Sequence, residues 1–207
     1  LHERTLTGMH ASALLVDGAR GNTYAATHDT GVFRRSGGGT WSAASTGIGE
    51  RNVFSLALVE VDGAPILYAG TEPALLFESR DGAATWTELP ALRAIPGRDG
   101  WNFPVKPNLA HAKHVDVDPR DPRTFYLSIE QGALLKTNDG GHTFRELTFA
   151  SPEDRYNKDT HRVAINPHDP DELYLTGGDG IARSSDAGQT WERIATPEMR
   201  IGYPDAM

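Results

Sequence analysis

Four segments of the chain repeat one pattern, and this repeat constrains the fold more than any other feature. They read Arg34-Arg-Ser-Gly-Gly-Gly-Thr-Trp41, Ser79-Arg-Asp-Gly-Ala-Ala-Thr-Trp86, Thr137-Asn-Asp-Gly-Gly-His-Thr-Phe144 and Ser184-Ser-Asp-Ala-Gly-Gln-Thr-Trp191. Their aromatic ends lie 45, 58 and 47 residues apart. A second shared element precedes each copy: Asn22-Thr-Tyr24, Ile66-Leu-Tyr68, Thr124-Phe-Tyr126 and Glu172-Leu-Tyr174. The last two follow the turn sequences Asp118-Pro-Arg-Asp-Pro122 and Asn166-Pro-His-Asp-Pro170. A period of about 40–50 residues built from short strands is that of propeller blades.

Each unit parses into four short strands, in the last unit Arg162–Ile165, Leu173–Thr176, Gly180–Ser184 and Thr190–Ile194. In the turn before the fourth strand, Asp186 is placed to accept bonds from the turn's own backbone and Gly188 to take a left-handed conformation. Trp191 offers a large apolar face for packing between blades. The expected fold is therefore all-β, a β-propeller of four-stranded antiparallel blades. Blades are expected at 9–47, 51–90, 113–149 and 161–197, with an insertion loop at 91–112. Residues 1–8 read as the end of a preceding blade and 198–207 as the start of the next. That phase suggests a piece of a six- or seven-bladed ring, with a compact ring of four or five blades as the alternative.

The pattern Ser-x-Asp-x-Gly-x-Thr-Trp resembles the Asp-box (BNR) repeat of sialidase-like, sortilin-like and photosystem-assembly-factor-like propellers. Three copies match it well; in the first, Ser36 stands in place of the aspartate. The resemblance implies a structural role for the Asp-box turns at the blade periphery, away from any active site. Sialidase-like relatives carry an Arg-Ile-Pro motif near the first blade. This chain has Arg93-Ala-Ile-Pro96 in a different blade context, which argues against sialidase activity proper.

Composition narrows the function classes. The net charge is −8 and no Lys/Arg run exceeds two residues, so a nucleic-acid groove is not expected. No apolar stretch approaches the roughly 18 residues of a membrane helix. Cysteine is absent, so thiolate metal sites and thiol nucleophiles are excluded within this sequence; the compartment, secreted or cytoplasmic, stays open. There is no Gly-x-x-x-x-Gly-Lys loop, no Gly-x-Ser-x-Gly elbow and no His-Glu-x-x-His. Asp116-Val-Asp118-Pro-Arg-Asp121 looks calcium-like in isolation but falls on the repeat's own strand and turn.

Up-and-down blade topology sorts the remaining polar residues by face. Four residues after each shared tyrosine stand His28, Glu72, Glu130 and Gly178, all at turns opening on one face. The start of each innermost strand adds His10, then Arg51, then His111, Lys113 and His114, then Asp159, His161 and Arg162. Two long insertions open there too, carrying Arg98, Trp101, Phe103 and Lys106, and Glu153, Arg155, Tyr156 and Lys158. Three readings follow. In the first the chain is carbohydrate-active, glycoside hydrolase or polysaccharide lyase-like. Glu130 or Glu72 then acts as general acid or base beside His111 and His161, while Arg51, Arg162, Trp101, Tyr156 and Lys113 bind the glycan or other small molecule. In the second the face is a non-catalytic docking surface for a protein partner. In the third His10, His28, His111, His114 and His161 hold a transition metal at the channel mouth.

Overall fold

The computed structural model describes residues 6–147, 158–178, 180–195 and 199. Among these residues, sixteen strands form four antiparallel sheets, each paired in simple chain order. The first contains β1 (His10–Asp17), β2 (Asn22–His28), β3 (Gly31–Ser36) and β4 (Trp41–Ala43). The second contains β5 (Asn52–Val61), β6 (Ala64–Glu72), β7 (Leu76–Ser79) and β8 (Thr87–Glu88). The third contains β9 (His111–Val117), β10 (Phe125–Glu130), β11 (Ala133–Thr137) and β12 (Arg145–Leu147). The fourth contains β13 (Thr160–Ile165), β14 (Leu173–Gly177), β15 (Gly180–Ser184) and β16 (Glu192–Ala195). The third and fourth sheets thus begin slightly earlier than the repeat spacing suggests, at His111 and Thr160.

The first strands β1, β5, β9 and β13 pack side by side in succession, which makes them the inner wall of a propeller arc. Second strands are sandwiched between neighbouring sheets, so they lose the usual alternation. Every residue of β10 is buried, whereas β5 alternates along most of its length. Three apolar layers fill the gaps between sheets. Val53, Leu67, Phe77 and Trp86 pack with Tyr24 and Val32; Leu76, Phe125, Leu127 and Ile129 pack with Tyr68; Leu134, Leu147 and Leu173 pack with Tyr126. On the side of β1 away from the second sheet, Leu14 and Val16 are exposed.

The shared tyrosines tie one sheet to the next. Tyr68 Oη donates to the carbonyl of Gly140 at 3.2 Å, and Tyr126 Oη to that of Ala187 at 3.3 Å. Both acceptors lie in the aspartate-bearing turn of the following sheet. Burial pushes the Tyr68 phenol up to about 12, so it stays a donor at any physiological pH. Trp86 works in the other direction, its indole N–H donating to Ala44 of the preceding sheet at 2.8 Å. Trp191, by contrast, is half-buried against the third layer and its indole bonds within its own turn, to Gly188.

The three aspartate turns share one hydrogen-bond scheme. Asp139 accepts from the Thr143 amide and hydroxyl at 2.9 and 2.6 Å and from Thr137 Oγ1 at 2.7 Å. Asp81 and Asp186 make the equivalent bonds with Thr85 and Ser79, and with Thr190 and Ser184. The Thr85 and Thr190 donors bring Asp81 and Asp186 down to about 2. Burial alone would raise Asp139, but the Thr143 and Thr137 bonds bring it to about 2 as well. In the first unit, Ser36 instead donates to Asn22 at 2.8 Å and receives Arg34. A carboxyl whose folded pKa is depressed stabilises the fold fully above its unfolded value of 3.8, and that stabilisation disappears as pH falls toward 2. Asp139→Asn is therefore expected to lower the melting temperature by several degrees at pH 7. The gap to the unmodified protein should close as both are titrated below pH 4, about the unfolded carboxylate value. A gap independent of pH would show that the charge is not what the turn uses.

Candidate functional site

The inner ends of the first and second strands meet at one face. In register, His10 lies opposite His28, Asn52 opposite Glu72 and His111 opposite Glu130, and the Gly178 amide donates to the Asp159 carbonyl at 3.0 Å. These are the same positions in four successive sheets. Each inner strand also carries an irregularity at the same point, leaving Ser12, Phe54, Lys113 and His161 as the extra residue. Such bulges re-aim side chains and break simple alternation.

Here the bulge and strand-end residues build a polar cluster across sheets two, three and four. His111 Nε2 is hydrogen-bonded to Glu130 Oε2, and its Nδ1 faces Glu72 Oε2 at 3.5 Å. Lys113 Nζ donates to Glu130 Oε1 at 2.8 Å. His161 Nε2 lies 3.5 Å from that same oxygen and 3.2 Å from Asp159 Oδ1. Glu130 and Asp159 also form a backbone bridge between sheets three and four. Glu72 is oriented by the Asn52 amide at 2.9 Å, and Asn52 in turn accepts from the Asp29 amide at 2.8 Å. The first residues of β5, β9 and β13 (Asn52, His111 and Thr160) thus reach the end of the preceding sheet's second strand.

Aromatic rings enclose the cluster. Phe54 stacks on His111 with centroids 3.9 Å apart and planes at 16°; Phe103 tilts over the same imidazole at 4.9 Å. His28 meets Phe54 in a T-shaped contact with centroids 4.6 Å apart. Glu130, His111, Asp159 and His161 are buried, while Lys113, His28, Phe54 and Phe103 are half-buried and form the rim. Burial alone would raise the Glu130 carboxyl, but the bonds from His111 and Lys113 outweigh it and hold its pKa below the ordinary value. Glu130 is therefore an anion at neutral pH, suited to accept a proton or face a positive charge.

Not every candidate residue joins this cluster. Trp101 is half-buried against the core of sheets two and three, beside Gly132, with the Arg98 guanidinium 5.5 Å over its ring. The insertion that carries it holds two short 3-10 helices, Pro90–Ala94 and Arg98–Gly100, and is anchored by the buried Leu92. Arg51 is exposed and uses its carbonyl to accept from Gly31. Arg162 is half-buried on β13, opposite Thr176. His114 turns to Asp116, at 2.8 Å, and His10 is exposed, so the five histidines do not form one ligand group. Tyr156 lies outside the described residues, as do Glu153 and Arg155 of the second insertion. Sequence reasoning missed Phe54 and Asn52. Alignment of Phe54 with Lys113 and His161, two residues after Asn52, His111 and Asp159 respectively, was the available signal.

No family model matches the chain. Among curated proteins it is 31% identical, over 113 residues, to a probable oligoxyloglucan-reducing end-specific xyloglucanase of Neosartorya fischeri, covering 50% of this chain and 13% of that protein. It is 27% identical over 171 residues to a xyloglucanase of a Paenibacillus species, covering 76% of this chain and 16% of that protein. Among solved structures, an ancestral GH74 enzyme superposes with a TM-score of 0.72 at 17% identity, over 92% of this chain and 24% of that one. The chain therefore spans only a small part of the length of the relatives it matches. The fold is a partial β-propeller. No helix among the described residues is long and apolar enough to cross a membrane.

Proposed function

We propose that this chain contributes four blades to a glycoside hydrolase propeller acting on a xyloglucan-type β-glucan, with the Glu72–His111–Glu130 cluster at its substrate face. The observation that carries the reading is the convergence of equivalent rim positions from successive sheets on two carboxylates with an imidazole between them. Glycosidases need paired carboxylates, one to give a proton and one to act as base or nucleophile. Glu130, held ionised by His111 and Lys113, suits the second role, and Glu72 is the other member of the pair. Phe54 and Phe103 supply apolar surface for sugar rings, while Lys113 and His28 supply polar edges for hydroxyls. Likeness to two xyloglucanases supports the choice of polysaccharide. The Asp-box turns, kept at the opposite ends of the blades, serve the scaffold in this reading.

The test is a glycan panel on the full-length protein: tamarind xyloglucan, an unbranched β-glucan and a sialylated oligosaccharide, each followed by reducing-end release and by calorimetry. Cleavage of xyloglucan with little action on the others is the expected result. Binding to xyloglucan without cleavage would make the face a glycan-binding module. Absence of both overturns the reading.

A further inference from the structure

The buried end of the cluster has a geometry that acid–base chemistry does not require. Glu130, Asp159 and His161 bring one donor atom each to within 4.8 Å of one another, and all three residues are buried. His161 Nε2 stands 3.2 Å from one carboxylate oxygen and 3.5 Å from the other. A tetrahedral ion with bonds of about 2.1 Å holds neighbouring donors roughly 3.4 Å apart, so His161 Nε2 already stands at ligand spacing from both carboxylates, and its 3.2 Å hydrogen bond to Asp159 is the contact an ion would replace. The backbone is shaped to permit it. At Gly178, where preceding sheets carry His28, Glu72 and Glu130, a Cβ would lie 2.2 Å from Asp159 Oδ2. A glycine there opens the space that the Asp159 carboxylate fills, and the bulge in β13 turns His161 toward it. The three ligands come from two sheets joined by the Glu130–Asp159 bridge, so their spacing is fixed by backbone pairing.

We infer that Glu130, Asp159 and His161 form a divalent transition-metal site, with zinc the ion the imidazole and two carboxylates fit best. Glu130 Oε1 has two acceptor directions, and Lys113 uses one of them, leaving the other for the ion. The Lys113 ammonium opposes a cation at this position, which tunes the affinity down. His111, bonded to the other Glu130 oxygen, orients the carboxylate as an outer partner of a metal ligand does. This site does not depend on the glycan reading, and an ion here would occupy the carboxylate which that reading assigns as base, so the two roles of Glu130 exclude one another at any moment.

Zinc chloride titrated calorimetrically into chelator-treated full-length protein, without glycan, tests it. One ion per chain is expected, with a rise in melting temperature on saturation. Asp159→Asn and His161→Gln should each weaken zinc binding by about 100-fold or more, beyond the effect of losing an outer partner. Gly178→Ala, which leaves every ligand in place but displaces the Asp159 carboxylate, should weaken it as well. Lys113→Gln should tighten it, and His168→Gln, at an exposed turn, should leave it unchanged. Melting curves without metal establish that each variant is folded. No zinc binding by the unmodified protein overturns the site; so does binding that Asp159→Asn, His161→Gln and Gly178→Ala leave unaltered. Equal affinity for calcium would also overturn it, because an imidazole ligand selects against a hard oxygen-seeking ion. A protein that binds zinc but ignores xyloglucan keeps this proposal and loses only the glycan one.

Discussion

Glu130→Gln is expected to reduce xyloglucan hydrolysis by the full-length protein by about 10²–10⁴-fold, the range for loss of a general acid or base. The loss should fall on kcat with KM little changed, because the half-buried rim that would hold the sugar is left in place. The substitution keeps the side chain's shape and an acceptor oxygen but removes the anion that His111 and Lys113 surround. Taking one partner from a buried ionic cluster costs stability as well, about 3–5 kcal/mol where pairing was complete. Melting temperature must therefore be measured beside the kinetics. Glu72→Gln provides the second reading, since Glu72 contacts the same imidazole only at 3.5 Å and its removal disturbs the cluster less. Full activity in a folded Glu130→Gln protein would remove Glu130 from the reaction.

Gly70→Ala is expected to be strongly destabilising for a change of one methyl group. Gly70 lies on β6, against Ala112 of the third sheet. A Cβ there would sit 2.4 Å from Ser55 Oγ, 2.5 Å from the Ala112 carbonyl oxygen and 2.8 Å from Ala112 Cβ. The Ser55 hydroxyl bonds that carbonyl at 2.8 Å across the sheets, so the added methyl both breaks the bond and wedges the sheets apart. Overpacking of this kind costs about 1–3 kcal/mol and a lost hydrogen bond about 1 more. Together these amount to a drop in melting temperature of roughly 6–12 °C for a domain of this size. Gly49→Ala is the control, because a Cβ there meets nothing within 4 Å. Equal melting temperatures for the two variants would show that the sheets can slide apart at little cost.

Much of this is legible in the sequence. The spacing of Trp41, Trp86, Phe144 and Trp191 and the tyrosines upstream gave four units of four strands. The alignment on those tyrosines placed Glu72 and Glu130 at equivalent turns beside His111 and His161. These inferences work because repeat length and turn chemistry are local properties, carried by glycines, aspartates and prolines whose backbone preferences act within a few residues.

What the alignment could not supply was direction. Side chains in a strand alternate between faces, and a shift of one residue reverses every face that follows. The bulges at Ser12, Phe54, Lys113 and His161 make that shift in each inner strand, and no local signal marks them. They turn Lys113 and His161 onto Glu130 and Phe54 onto His111, while His114 is sent to Asp116 and out of the cluster. The fold followed from the sequence alone because each unit repeats a local pattern. The candidate site was decided only in the tertiary structure, where successive sheets press their inner strands together.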